Sequence, residues 1–399
     1  MRFCMLLLVL FTIFIGTGLA VNVDIGDVDA FKQALEKDGF TVQQGGTGFF
    51  DLIKLLDTGV LPSAYGNNPS TKYLTYFVPP APGHQVDEMA SKIAKTLGIT
   101  MKLGPYWNLG PDEAVIFVGR TPPECRYFSY DLQLLSRAYG NETRWIFGNL
   151  ADTINIAVIN TEGTPNGLPG NPFNQTTVIV NTADRGIDQR IRASALSAGY
   201  SGAIINTQEL PSSILNMGVE NTSDTFMMLI RPAVVADKQT EDNYINNTPA
   251  VIFRITPNES TELDPYDYPE LRVRGTGTTE FDLMDDLEEL RIAILDKYTD
   301  LNATECPTSQ TVPVGTDGIQ RGIDVLGPNN DCCYLWAHNQ TVSSPTPPFF
   351  DITKFYPFLR DPFITLGDDP NEFFIIYGVN HVATGKATYQ NFGIYGADV

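Results

Sequence analysis

Thr177–Asn181 (TVIVN), Asp188–Ala198 and Ala203–Asn206 (AIIN) set a strand, a helix and a second strand within 30 residues. The helix carries Ile187, Ile191 and Ala195 on one side and stops at Gly199. A strand–helix–strand unit this short pairs its strands in parallel through a right-handed crossover, with the helix covering the sheet. This unit predicts a mixed α/β fold with a partly parallel sheet and flanking helices.

The rest of the chain supplies more of both elements. Ala30, Phe31, Ala34 and Leu35 share one face of a helix over Asp27–Asp38, which Gly39 ends. Phe40–Gln43 reads as extended, and Phe49–Leu56 and Gln85–Leu97 as helices. Strands are expected at Tyr73–Val78, ahead of Pro79-Pro80, and at Ala114–Gly119, Phe226–Ile230 and Val251–Ile255. The longest helix is expected at Glu280–Tyr298, with Leu283, Leu287, Leu290 and Ile294 as its core stripe. Asp282, Asp285, Asp286, Glu288 and Glu289 crowd its other side as a solvated face.

From Ala303 onward periodicity fades. Residues 303–371 read as an irregular segment stapled by disulfides, followed by a terminal β-hairpin of Phe373–Val379 and Ala387–Tyr395. The expected organisation is a single unit over 21–399. The Pro/Gly-rich loop Gly163–Pro172 divides it into lobes at 21–162 and 173–399.

Residues 1–20 read as a secretory signal peptide. Arg2 precedes an apolar run from Met5 to Ile15, and small residues Gly18 and Ala20 mark a cut after Ala20. That run is about half the length a membrane span requires. The expectation is a secreted, extracellular protein without stable membrane insertion.

Two features agree with export. Seven Asn-x-Ser/Thr sites occur, at Asn141, Asn174, Asn221, Asn246, Asn258, Asn302 and Asn339, and mark a glycoprotein if the secretory route glycosylates. Cys125, Cys306, Cys332 and Cys333 are the cysteines left after the signal, an even number that predicts two disulfides. Neighbouring cysteines close a strained ring, so Cys125 is expected to bond one of Cys332 and Cys333, and Cys306 the other.

The 399 residues carry 26 basic and 47 acidic side chains, a formal charge of −21, which argues against nucleic acid as a partner. No HExxH, Walker loop, CxxC, GxSxG elbow or EF-hand pattern occurs. No cofactor is therefore expected; calcium held by Asp and Asn oxygens leaves no spacing signature and stays open. Oligomeric state is not legible.

Two stretches concentrate groups suited to chemistry. Gly378–Tyr389 holds His381, whose side chain is tuned for proton transfer near neutral pH, with Asn380, Lys386 and Tyr389 close in sequence. Gly104–Asp131 delivers Arg120, Arg126 and Tyr127 beside the Pro122-Pro123 bend, where Arg126 offers a planar fork for an anion. On this reading His381, Tyr127 and Lys386 are catalytic, and Arg120, Arg126, Asn380 and Tyr389 bind substrate. The function expected is a secreted hydrolase or lyase doing acid–base chemistry on a small anionic or carbohydrate-like molecule. The alternative is a non-catalytic extracellular ligand-binding or structural glycoprotein, with a small-molecule or glycan ligand. The plainer alternatives are a structural histidine and an ordinary half-buried strand over 127–130. Asp331, in GPNNDCCY, is a further residue to test.

Overall fold

The computed structural model describes residues 25–62, 64, 66–268, 270–272, 280–306, 308–310, 315–337 and 366–394. The signal segment 1–20 and Asn339 lie outside these residues, as does Tyr395 at the end of the expected hairpin.

In chain order the elements begin with α1 (Val28–Lys37), β1 (Phe40–Phe49), α2 (Leu52–Asp57), β2 (Leu74–Phe77) and α3 (Glu88–Thr96). Strands β3 (Ala114–Arg120), β4 (Cys125–Tyr127), β5 (Ser129–Tyr139), β6 (Glu142–Asn149) and β7 (Ile154–Asn155) follow. Then come β8 (Thr176–Thr182), α4 (Arg185–Ser197), β9 (Ile205–Glu209), β10 (Thr225–Ile230), β11 (Ala233–Val235), α5 (Lys238–Asn246) and β12 (Ala250–Pro257). The described part closes with α6 (Met284–Lys297), β13 (Thr308–Gln310), α7 (Gly315–Arg321) and β14 (Leu335–Ala337).

Acidic residues start the helices. Asp27, Asp51, Asp87, Asp184 and Asp237 each accept a hydrogen bond from the backbone N–H three residues on, capping α1 to α5 in turn. Each such cap stabilises its helix by about 1 kcal/mol. Part of the acidic surplus therefore has a structural use.

The main sheet has ten strands, in the order β6-β5-β10-β2-β1-β12-β3-β8-β9 with β7 added on β5. Only β8 and β9 run parallel, and α4 connects them as expected. Every other pair in this sheet is antiparallel, so the parallel character is confined to one edge. Strands from both sides of the 163–172 loop share the sheet.

Strand β1 makes the sheet curl. Its residues Phe40–Gly45 pair with β12, and Gly46–Phe49 pair with β2. A Cβ on Gly45 would stand 2.1 Å from the Phe77 carbonyl oxygen, so only glycine permits the approach there.

Curling buries both faces, and the two-residue period of the strands distributes their side chains. Ala114, Ile116 and Val118 of β3, with Val178 and Val180 of β8, meet α1 and α4. Val115, Phe117 and Ile179 point the other way, into an interior shared with Tyr76, Tyr130, Phe226, Met228 and Ile252. On the far side, Leu135, Met227 and Leu229 pack with Leu55 of α2 and Ile93 of α3.

Three expectations fail. Cys125, Cys306, Cys332 and Cys333 are all free thiols. Cys125 turns its sulfur to the Tyr127 carbonyl oxygen at 3.2 Å from within the core, whereas Cys332 and Cys333 sit exposed on a turn. Phe373–Val379 and Ala387–Ile394 form no strand, because a turn over 381–385 folds on itself without pairing its arms. And α6 buries no residue: Leu290 of the expected core stripe is exposed.

Candidate functional site

Tyr127 and Tyr389, from the two stretches singled out in the sequence, meet with ring centroids 6.1 Å apart. Around them lies a buried polar cluster. The Tyr127 hydroxyl donates to Asp331 Oδ2 at 2.7 Å and accepts from Asn329 Nδ2 at 2.7 Å. Asn155 Nδ2 reaches the same Asp331 oxygen at 2.7 Å. Burial pushes the Tyr127 phenol far above its ordinary range, so it stays protonated and acts as a donor.

One layer deeper, Asp131 is fully buried on β5 and receives Ser129 Oγ at 3.0 Å and Asn149 Nδ2 at 3.1 Å. Arg231, just past β10, brings Nε to 3.1 Å from Asp131 and donates through Nη2 to the Gly327 carbonyl at 2.7 Å. Its guanidinium also lies over the Tyr73 ring, 5.8 Å from the centroid. Burial pushes the Asp131 carboxyl up, and Arg231 pulls it back. These groups are spent largely on one another, and their effect is to fasten the 327–331 loop onto the sheet.

His381 lies elsewhere in its partnerships. Its Nδ1 is 2.6 Å from Glu280 Oε2, and Thr384 Oγ1 donates to the other Glu280 oxygen. The Thr384 hydroxyl, ahead of His381, holds the Glu280 carboxyl below the usual carboxylate range. A carboxylate on Nδ1 fixes ring orientation and leaves proton exchange to Nε2. The His381 carbonyl accepts from the backbone N–H of Lys386 at 2.9 Å and of Ala387 at 3.0 Å, so Lys386 joins this turn through its backbone.

The remaining expected residues divide. Asn380 spends its side-chain oxygen on Val382 and Ala383 N–H groups, which starts the turn. Tyr389 accepts from Asn68 Nδ2 at 3.5 Å. Arg120 directs Nη1 at Asn174, 3.4 Å from both its oxygens, and Arg126 is the exposed middle residue of β4. Sequence reasoning missed Arg231 and Glu280, and offered Asp131 only as a carboxylate paired with Glu124, whereas its charged partner is Arg231. Arg231 is 100 residues from Asp131, and Glu280 is 101 residues from His381.

A third feature is the surface that α6 shares with the chain after Glu372. The Phe373 ring packs edge-on against Tyr298, centroids 5.2 Å apart, and the Tyr377 hydroxyl donates to Glu305 Oε1 at 3.3 Å. With His381 on Glu280, the run lies antiparallel to the helix. From Glu280 to Tyr298 a helix rises about 27 Å at ~1.5 Å per residue. The eight steps from Phe373 to His381 reach at most about 26 Å at ~3.3 Å each. Phe373, Phe374, Ile375, Ile376 and Tyr377 are 39 to 64% exposed along it.

Six sequon asparagines, Asn141, Asn174, Asn221, Asn246, Asn258 and Asn302, are exposed. Among the described residues no group of three or more His, Cys, Asp or Glu is placed to hold a metal ion, and no helix is long and apolar enough to cross a membrane. A shallow hollow of about 200 Å³, lined by Asp27, Glu162, Thr176, Tyr200 and Ser201, contains none of the expected site residues. No family model, curated protein or solved structure matches the chain.

Proposed function

We propose that the protein is a secreted, glycosylated binding protein that docks another protein on the surface formed by α6 and residues 373–377. The observation that carries this reading is the row of five consecutive exposed apolar side chains. Contiguous apolar surface of this kind marks an interaction site in a water-soluble protein. Inside the sheet, Phe117 contacts the rings of Tyr76 and Tyr130, so aromatic side chains occupy part of the interior. The test is saturable binding of the purified glycoprotein to the outer surface of the cells that secrete it. Wild type binds, and a Phe374→Ser, Ile376→Ser double variant loses binding with unchanged circular dichroism. Equal binding by both, or by neither, overturns the reading.

A second reading keeps acid–base catalysis, and the His381–Glu280 pair favours it. An imidazole held by a carboxylate is the orienting unit of many general bases. On this reading His381 moves the proton and Lys386 and Tyr389 border the substrate, a small anionic or carbohydrate-like molecule. Hydrolase and lyase assays of His381→Gln against wild type decide it: a lost activity supports catalysis, and an unchanged one removes it.

A further inference from the structure

Strand alternation sends Gln208 and Asn181 into the interior of the curled sheet. On β9, Thr207 faces α4, where its hydroxyl accepts from Arg192 Nη2 at 2.6 Å and donates to Asp188 Oδ1 at 2.8 Å. Its neighbour Gln208 therefore faces the other way. Asn181 of β8 is the register partner of Gln208 and lies two residues past Ile179 on the interior face. Its Nδ2 donates to the Val115 carbonyl at 2.8 Å. The Asn181 side chain lies beside the Tyr76 phenol, and Tyr244 lies beside the Tyr130 phenol. Both tyrosine rings contact Phe117, at centroid distances of 5.7 and 5.3 Å.

Gln208, Asn181, Tyr76 and Tyr130 are 0 to 1% exposed. Among the described residues, five of their polar atoms are buried without closing a hydrogen bond: Gln208 Nε2 and Oε1, Asn181 Oδ1 and the two phenol oxygens. Buried polar atoms in folded proteins are paired, since an orphan bears the full penalty of leaving water. We infer that the interior of the curled sheet is a binding site for buried water molecules, held by Gln208, Asn181, Tyr76 and Tyr130. The chemistry of the four groups selects the occupant. None carries a charge, because burial holds both phenols far above their ordinary range and so protonated. An amide N–H, amide oxygens and phenols together present donors and acceptors, so the ligand both donates and accepts. Water does both, is satisfied by about two to four polar partners, and is small enough for a seam that is closed to solvent.

A crystal structure of the full-length protein, at a resolution that shows ordered water, tests this directly. Water oxygens are expected within hydrogen-bond distance of the Gln208 amide, Asn181 Oδ1 and the two phenols. Direct hydrogen bonds among the four side chains with no density between them, or density of a larger molecule, overturns the inference. In solution, oxygen-17 magnetic relaxation dispersion of the solvent counts the water molecules held for longer than the protein takes to tumble. The Tyr76→Phe, Tyr130→Phe double variant keeps both rings and removes only the hydroxyls. It is expected to lose the dispersion amplitude of at least one such water with unchanged circular dichroism, and a wild-type amplitude in the folded variant overturns the inference. Should the double variant fail to fold, Gln208→Met, close in volume and without the amide, gives the same comparison with the same two outcomes.

Discussion

His381 Nδ1 and Glu280 Oε2 stand 2.6 Å apart, joining the turn after the apolar run to the start of α6. Glu280 also receives Thr384, and these two contacts hold its carboxyl below the usual range. A depressed carboxylate contributes stability above its unfolded pKa and loses it as pH falls through the folded value. Glu280→Gln is expected to speed amide hydrogen exchange of residues 380–387 at pH 7 and leave β3 and β12 unchanged. In wild type the same loosening is expected only in acid, below about pH 4. Unchanged exchange in the variant contradicts the link.

The Asp131–Arg231 pair offers a sharper stability test, since Asp131 is fully buried. Arg231→Met leaves an uncompensated carboxylate and is expected to cost about 3–5 kcal/mol in urea unfolding. The Asp131→Leu, Arg231→Met double variant is expected to recover part of that loss. Additive single and double losses contradict direct pairing.

At the sheet's bend, neighbouring glycines differ. A Cβ on Gly45 meets the Phe77 carbonyl oxygen at 2.1 Å, whereas one on Gly46 meets nothing within 4 Å. Gly45→Ala is expected to cost about 1–3 kcal/mol through forced backbone movement, and Gly46→Ala less than about 1 kcal/mol. Equal effects in chemical denaturation contradict the close approach of β1 and β2.

Asp324 is the carboxyl expected to shape the acid limb. Burial pushes it up to about 6, and its Oδ1 accepts from Leu326 N–H at 2.7 Å. A raised acid keeps its proton longer in the folded state, so its contribution is greatest below about pH 4 and falls as pH rises toward about 6. Since the residue is half-buried, the fall is about 1–3 kcal/mol at most. Asp324→Asn is expected to flatten that slope while keeping the acceptor; an unchanged slope contradicts the assignment.

Local signals in the sequence carried well. Gly39, Gly98 and Gly199 end helices within a residue or two of the observed limits, and the 177–206 unit pairs in parallel. What failed was long-range. Nothing in AVIFVGR says that β3 lies between β12 and β8 with both neighbours antiparallel, because those partners lie more than 50 residues away. The apolar stripe of α6 has the period of a buried helix, yet none of its residues is buried and residues 373–381 touch it only at points. Cysteine counting assumed that export implies pairing, and Cys125 instead packs in the core with its thiol pushed up to about 12 by burial. Tyr127 and Tyr389 were chosen for their chemistry and do meet, but beside a pair, Asp131 and Arg231, whose members lie 100 residues apart.

Amide hydrogen exchange of Phe373–Val379 in the free protein tests the central claim most directly. An exposed docking run exchanges faster than the amides of β3, which are bonded on both sides. Docking on the cell-surface partner then slows exchange along 373–379. Amides of 373–379 as protected as those of β3 in the free protein, or rates that docking leaves unchanged, contradict the account.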